Sequence, residues 1–417
     1  MLYLIFLAAL FLLLYDFKKG VILYTPFKFL FYSDVLIYGN IKFDFLVSAI
    51  ILTLFATRYR KKYTVSVPWI ASLVICIISH SIYTLYPKAF LGIWLYDVIS
   101  IYIYSVIFFK LINTPKDISL FLKSSMIFVL LLVGNGIIEL LIQKNLIGDF
   151  IKPYLSSSSF LSDNEIIRFG NFKRIRSFVP HSIGFGVECT CYLYLFVFIL
   201  FLNKVKISRK FCYFIISLLC IGIIISGSRT PLLGLTIMSI PFILNANLFK
   251  MKYFIIYIII FVGGYLFIGE HITNMITSIF NSDSENGSSI DMRLTQLMYS
   301  LSVWQQSPIF GHGPDYDIFK YAERSEIYGA ESVWFTLLMK QGLIGILSYI
   351  FLYCNIIKKS FKLKQYKYPI SFMLGWLIID SATNLPGLNI FFPLMIVTII
   401  YKSIVLNINQ LNYTTRI

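Results

Sequence analysis

Charge is the scarcest commodity in this sequence. Charged residues make up 13% of the 417 residues, against about a quarter in an ordinary soluble domain, so the chain cannot cover a water-facing surface with charge. Histidine is rarer still, with 4 in all. No H-E-x-x-H, EF-hand, Walker or G-x-G-x-x-G pattern stands out, so nothing asks for a metal or a nucleotide. The 6 cysteines, Cys76, Cys189, Cys191, Cys212, Cys220 and Cys354, lie in hydrophobic stretches. They form no C-x-x-C pair and no metal spacing with histidine, and read as packing residues. No internal repeat is visible. The apolar start MLYLIFLAALFLLLY is followed by no small-residue cleavage pattern, and reads as an uncleaved first helix.

What fills the chain instead is hydrophobic: 58% of residues, with 18% aromatic. A helix crosses a bilayer with about 20 apolar residues. That criterion places spans near 1–15, 43–57, 66–86, 90–109, 118–143, 181–202, 211–227, 231–249, 253–269, 332–353, 369–383 and 389–407. The fold class is therefore an all-α polytopic membrane protein of about twelve transmembrane helices, read as one membrane-embedded domain over 1–417. Residues 21–38 are apolar but interrupted by Pro26, Lys28 and Asp34; they read as a re-entrant or interfacial segment, or as a thirteenth span.

Basic residues cluster at 58–62, at Lys110, Lys116 and Lys123, at 204–210, at Lys250 and Lys252, and at 358–367. With alternating spans all fall on one side, which the positive-inside rule makes cytoplasmic. Topology and anionic lipid thus account for the net charge of +16, and no nucleic-acid partner is needed. The opposite side carries two long loops, 144–180 and 270–331. Loops of that length are usually functional. The first is basic against the topological trend, with Arg168, Lys173, Arg174 and Arg176; the second is mostly acidic.

Between spans on that same side lies the short turn ISGSRTPLLG, with Arg229 at its centre. A guanidinium binds phosphate bidentately at any working pH, and Thr230-Pro231 reads as a helix start whose N–H groups favour anions. The turn by itself fits equally an arginine snorkelling to lipid head groups. Further on, Leu294, Leu297, Met298, Leu301 and Trp304 recur at helical spacing, and Pro308, Gly311 and Gly313 stop that helix. Lys340, Asp380, Asp97 and Glu139 are ionisable residues at membrane depth and are expected to face the bundle interior or a cavity. His80 reads as a core histidine.

In order, these motifs resemble the O-antigen polymerase/O-antigen ligase superfamily of the Wzy and WaaL type. The resemblance rests on RSFVPHSIG with Arg176, Pro180 and His181; on SGSRTPLLGL with Arg229; and on Arg293, Trp304, Pro308, Gly311 and Gly313. It continues with Glu331-Ser332 and the L-x-x-x-G-L-x-G run from Leu338 to Gly345. It covers about 170 to 350. IKFDFLV at 41–47 is a weaker echo of an early span.

The resemblance implies a GT-C-like, metal-independent membrane glycosyltransferase without cofactors. It would use undecaprenyl-diphosphate-linked oligosaccharide on the periplasmic or outer face of the bacterial inner membrane. Arg176, Arg229 and Arg293 match the family's arginines and are expected to bind the diphosphate, with Arg174 as a rival to Arg176, and His181 and Asp315 beside them. The ligase branch has His-Asn where this chain has Glu331-Ser332, which favours the polymerase branch. Glu331 is then the candidate base, with His312, Asp315 and Asp317 as alternatives. A chain-length regulator and a flippase are the expected protein partners. An O-antigen ligase is the alternative; a flippase or secondary transporter, with repeated halves and short loops, fits less well.

Overall fold

The computed structural model describes residues 2–28, 36–38, 41–81, 90–151, 167–168, 172–179, 181–202, 207–244, 290–313, 331–384 and 390–414. The span expected at 253–269, Asp315, Asp317 and most of both long loops lie outside the described residues. The helices are α1 (Leu2–Tyr15), α2 (Phe17–Phe27), α3 (Phe43–Leu54), α4 (Ile70–His80), α5 (Phe90–Tyr96) and α6 (Tyr104–Leu111), the last two joined through a π-helical stretch at Asp97–Ile103. They continue with α7 (Pro115–Ile142), α8 (Leu146–Ile151), α9 (Ser182–Leu202), α10 (Arg209–Ile225), α11 (Arg229–Ile243), α12 (Ile290–Gln306), α13 (Val333–Ser360), α14 (Lys367–Ala382) and α15 (Phe391–Thr414). Two short antiparallel ladders interrupt the helical pattern, β1 (Leu36–Tyr38) with β2 (Ile41–Lys42), and β3 (Ile167–Arg168) with β4 (Phe172–Lys173).

Among the described residues 4 helical stretches are long and apolar enough to cross a bilayer: Trp94–Leu111, Pro115–Ile142, Ser182–Leu202 and Val333–Ser360. Ile70–His80, Arg229–Ile243 and Phe391–Leu406 are shorter apolar helices. The outward surface supports a membrane setting independently. Ile127, Leu131 and Ile138 on α7, and Leu343, Leu347 and Ile350 on α13, are exposed at helical spacing, where a soluble helix would carry polar residues. Inside, one buried apolar cluster runs from Leu13 to Ile404.

Both ends of the bundle are fixed by specific contacts. At the basic end, Lys18 pairs with Asp117 at 2.6 Å, Phe17 stacks on Tyr59 at 4.5 Å, and Lys402 reaches Asn113 at 3.4 Å. The α1–α2 junction therefore lies beside the α6–α7 junction, and α2 leads away from the basic end. Residues 21–38 are accordingly not one uniform segment: the helix starts at Phe17, ahead of it, and ends at Phe27, and a ladder strand begins at Leu36. At the opposite, far end, α13 opens and α14 closes. Helices α4 and α13 run antiparallel between the ends, since Ser72 meets Asn355, Cys76 meets Ser348 and Ser79 meets Gln341.

Candidate functional site at the far end

The arginine-bearing strip Arg174–Val179 is buried throughout, rather than lying on the surface as the end of an outer loop. Glu139 on α7 holds it there. Its Oε2 accepts from the Ser177 amide at 2.7 Å and from Asn145 at 3.1 Å, Ser177 Oγ donates to Leu132 O at 2.7 Å, and Asn135 donates to Ser177 Oγ at 3.0 Å. Ser177 adopts a left-handed φ of 56°, a conformation a non-glycine residue keeps only when its surroundings enforce it. Glu139, a membrane-depth carboxylate in the sequence, is thus a positioning group.

So anchored, the strip lies against the SGSRT turn. Ile175 N donates to Ile225 O at 3.2 Å, Arg174 Nε reaches Ser226 O at 3.4 Å, and Arg174 Nη2 donates to Ser228 Oγ. Arg174 and Arg176 are only 4% and 5% exposed, an expensive place for two cations. Arg229, half-buried, is the first residue of α11. His181 takes a capping position instead: its Nδ1 accepts from Ile183 N at 3.1 Å at the start of α9.

Helix α11 carries the turn to the third arginine. A Cβ on Gly234 would sit 2.7 Å from Ile379, and one on Gly375 would sit 2.5 Å from Met238, so α11 and α14 touch closely and run antiparallel. That register brings Arg229 level with Thr383 and Asn384. Arg293 on α12 reaches the same place, its Nη2 donating to Ala382 O at 3.4 Å and its Nε standing 3.6 Å from Glu331 Oε2. Around them, Glu331 N donates to Gln296 Oε1 at 3.3 Å, Ser332 Oγ to Asp380 O at 3.3 Å, and Asn384 to Thr336 at 2.8 Å. The structure thus brings Arg293, Glu331 and the end of α14 into contact, and sets Arg174 against the turn that leads into Arg229, with Arg176 two residues further along the same buried strip.

Helix α12 does not bury the whole apolar stripe of its sequence. Leu294 and Met298 are 56% and 62% exposed, while Gln296, Ser300 and Val303 are buried, facing α13. Leu297, Leu301 and Trp304 are half-buried between the two faces, so periodicity alone cannot assign the buried face. Gln296 and Ser300 were missed for that reason; their spacing of three and seven residues from Arg293 was the available signal.

The P-x-x-G-x-G run has a mechanical role. Helix α13 breaks at Gly342, with φ 62° and ψ −152°, freeing carbonyls above the break and amides below it. The turn 308–313 takes up all four. His312 N and Gly313 N donate to Met339 O and Lys340 O at 2.8 and 3.0 Å, and Leu343 N and Ile344 N donate to Pro308 O and Ile309 O at 2.9 and 3.3 Å. Trp304 Nε1 donates to Pro308 O at 2.8 Å, clamping the turn to α12. His312 Nε2 is bonded to Val303 O at 2.9 Å. This places His312 at the break, some eight residues or about 12 Å along α13 from Glu331; the two expected bases belong to different places.

Two buried carboxylates complete the interior. Asp380 on α14 accepts from the Tyr353 hydroxyl. Glu188 on α9 is fully buried, and neither carboxylate oxygen has a hydrogen-bond partner among the described residues. It belongs with Glu139 and Asp380 as an ionisable residue in an apolar helix, the same signal that singled those two out in the sequence. Among the described residues, no three of His, Cys, Asp and Glu gather as a metal site.

A helical membrane protein with an arginine–glutamate site at one end of its bundle is the class these features define. Residues 213–350, roughly a third of the chain, match the family model of O-antigen ligase (Wzy_C). That match supports a likeness to the O-antigen ligase/polymerase superfamily over this stretch, and it does not separate the two branches. The family's members are membrane glycosyltransferase-like enzymes. The matched stretch contains Arg229, Arg293, Glu331 and the whole Gly311–Gly342 junction; Arg174, Arg176 and Glu139 lie before it. No curated protein matches the chain.

Proposed function

We propose that the protein is a polysaccharide repeat-unit polymerase, which transfers an undecaprenyl-diphosphate-linked glycan onto a second lipid-linked repeat unit at the outer face of the bacterial plasma membrane. The carrying observation is the Arg293–Glu331 pair at the end of α14, with three further arginines at the neighbouring turn. In the transfer, an acceptor hydroxyl attacks the anomeric carbon of the donor, the bond from that carbon to the diphosphate oxygen breaks, and negative charge gathers on the leaving diphosphate. Fixed cations stabilise charge at the point where it develops. Arg293 and Arg229 are assigned that task, with Arg174 and Arg176 lining the same end.

Glu331 then takes the acceptor proton. Its contact with Arg293 is long and its side chain is 30% exposed, so an incoming diphosphate competes with it for the guanidinium. Binding of the donor thus releases the base at the site where it is needed. The reading calls for no metal or other cofactor. A glutamate here, where the ligase branch has histidine, supports the polymerase branch.

Deletion of the gene in its native host tests the reading. Polymerase function leaves single repeat units on the anchor and no long chains. Wholly unglycosylated core indicates a ligase, and lipid-linked units held on the inner face indicate a flippase; either result overturns the assignment.

A further inference from the structure

The reaction proposed above needs two lipid-linked substrates, and a second polar group occupies the far end on the other side of α13. Asp97, in the π-helical stretch between α5 and α6, lies 3.5 Å from His80 Nε2. His80 is fixed from behind by Tyr102 OH at 3.1 Å and Cys76 O at 3.2 Å on Nδ1. Gln341, one residue before the α13 break, touches His80 at 3.4 Å and accepts from Ser79 Oγ at 3.0 Å. Lys340 precedes Gln341 at the same break, and Lys42 lies over the Tyr96 ring at 4.7 Å. Tyr96 in turn donates to Asp44 at 3.2 Å, the partner of Lys28.

Three features separate this group from a purely structural network. His80 and Gln341 are buried and consumed by each other, but the Asp97 side chain is 19% exposed, and Lys340 and Trp94 are half-buried. The accessible edge therefore presents a carboxylate, an ammonium and an indole together. A carboxylate accepts from hydroxyls and an ammonium donates to them, while an indole gives a broad apolar face with a polar handle; here the handle is held by Ser81 at 3.2 Å. That combination suits a saccharide. Moreover, the group is built at a helix interruption, as substrate sites of many secondary transporters are.

We propose that Asp97, Lys340 and Trp94 form a saccharide subsite that holds the acceptor glycan, an inference that rests on the transferase reading above. Lys340 is nine residues from Glu331, about 14 Å along α13, so the subsite grips a sugar remote from the reacting hydroxyl. These are binding residues, and His80 and Gln341 position them.

The test uses the full chain in lipid nanodiscs and two probes: undecaprenyl diphosphate, and the free repeat-unit saccharide released by mild acid from the host's lipid-linked pool. Asp97→Asn, Lys340→Gln and Trp94→Leu are each expected to weaken saccharide binding by about tenfold, the loss of a charged hydrogen bond or a stacking face. Undecaprenyl diphosphate binding should stay at the wild-type level. Arg293→Lys should do the reverse. Wild-type saccharide affinity in Asp97→Asn and Lys340→Gln overturns the subsite, and so does parallel weakening of both probes in them. If the wild-type chain binds neither probe, the transferase reading itself falls; if it binds undecaprenyl diphosphate but the saccharide arm fails, only the subsite does.

Discussion

Gly311 and Gly342 meet backbone to backbone. A Cβ on Gly311 would lie 2.5 Å from the carbonyl carbon of Lys340, one on Gly342 would lie 2.6 Å from Ile309 O, and both residues have left-handed φ, 68° and 62°. The contact locks α12 to the break in α13. Since α12 carries Arg293 and α13 opens beside Glu331, the junction sets the depth at which the ion pair forms.

Alanine at either glycine is expected to destabilise the protein by about 2 kcal/mol or more, from left-handed strain together with a backbone clash. Thermal unfolding in detergent measures this. The double alanine variant should lose less than the sum of the singles, because both remove one contact. Chain length should fall in parallel, as the Arg293–Glu331 geometry loosens.

Arg293→Lys and Arg229→Lys keep the charge but not the planar fork. Neither is expected to restore long polymer in a deletion host, while protein level stays at that of the wild type. Normal chains from either variant would remove that arginine from the diphosphate assignment.

Glu139→Gln keeps side-chain volume but replaces a charged acceptor that holds both the Ser177 amide and Asn145. Weakening a buried charge-assisted pair costs about 1.5–3 kcal/mol. The expected outcome is a lower melting temperature together with reduced undecaprenyl diphosphate affinity, because Arg174 and Arg176 ride on the strip it anchors.

Lys28 and Asp44 form a buried ion pair, supported by Tyr24 at 3.4 Å and by Lys28 resting over the rings of Tyr104 and Phe391 at 4.7 and 5.1 Å. Lys28→Met leaves a carboxylate buried without its cation and should cost about 3–5 kcal/mol. The double variant Lys28→Met/Asp44→Leu should recover most of that loss in the same melting assay.

Glu188 offers the opposite case. With neither oxygen bonded among the described residues, its burial is uncompensated. Glu188→Gln is therefore expected to leave the melting temperature unchanged or raise it. A large drop would reveal an essential bond at this carboxylate.

Much of the candidate site was legible from the chain. Arg229 stands alone between apolar segments, while the family resemblance picked Arg176, Arg293 and Glu331 out of the two long polar loops; with Arg174, all lie at one end of the bundle. Gln296 and Ser300 did not stand out, because periodicity alone could not say which face of their helix is buried. Gly342 was visible as a glycine but not as a break, because a lone glycine is tolerated inside many helices.

The sequence by itself determined the membrane setting, most of the helical stretches and the family motifs, because these follow from local hydropathy and spacing. The tertiary structure decided which face of α12 is buried, which residues close the α13 break, and that Glu139 holds the arginine strip. Each of these depends on a partner far away in the chain: Ser177 for Glu139, Met339 for His312, Ala382 for Arg293. Hydropathy is a property of one segment and carries no record of which other segment completes its hydrogen bonds.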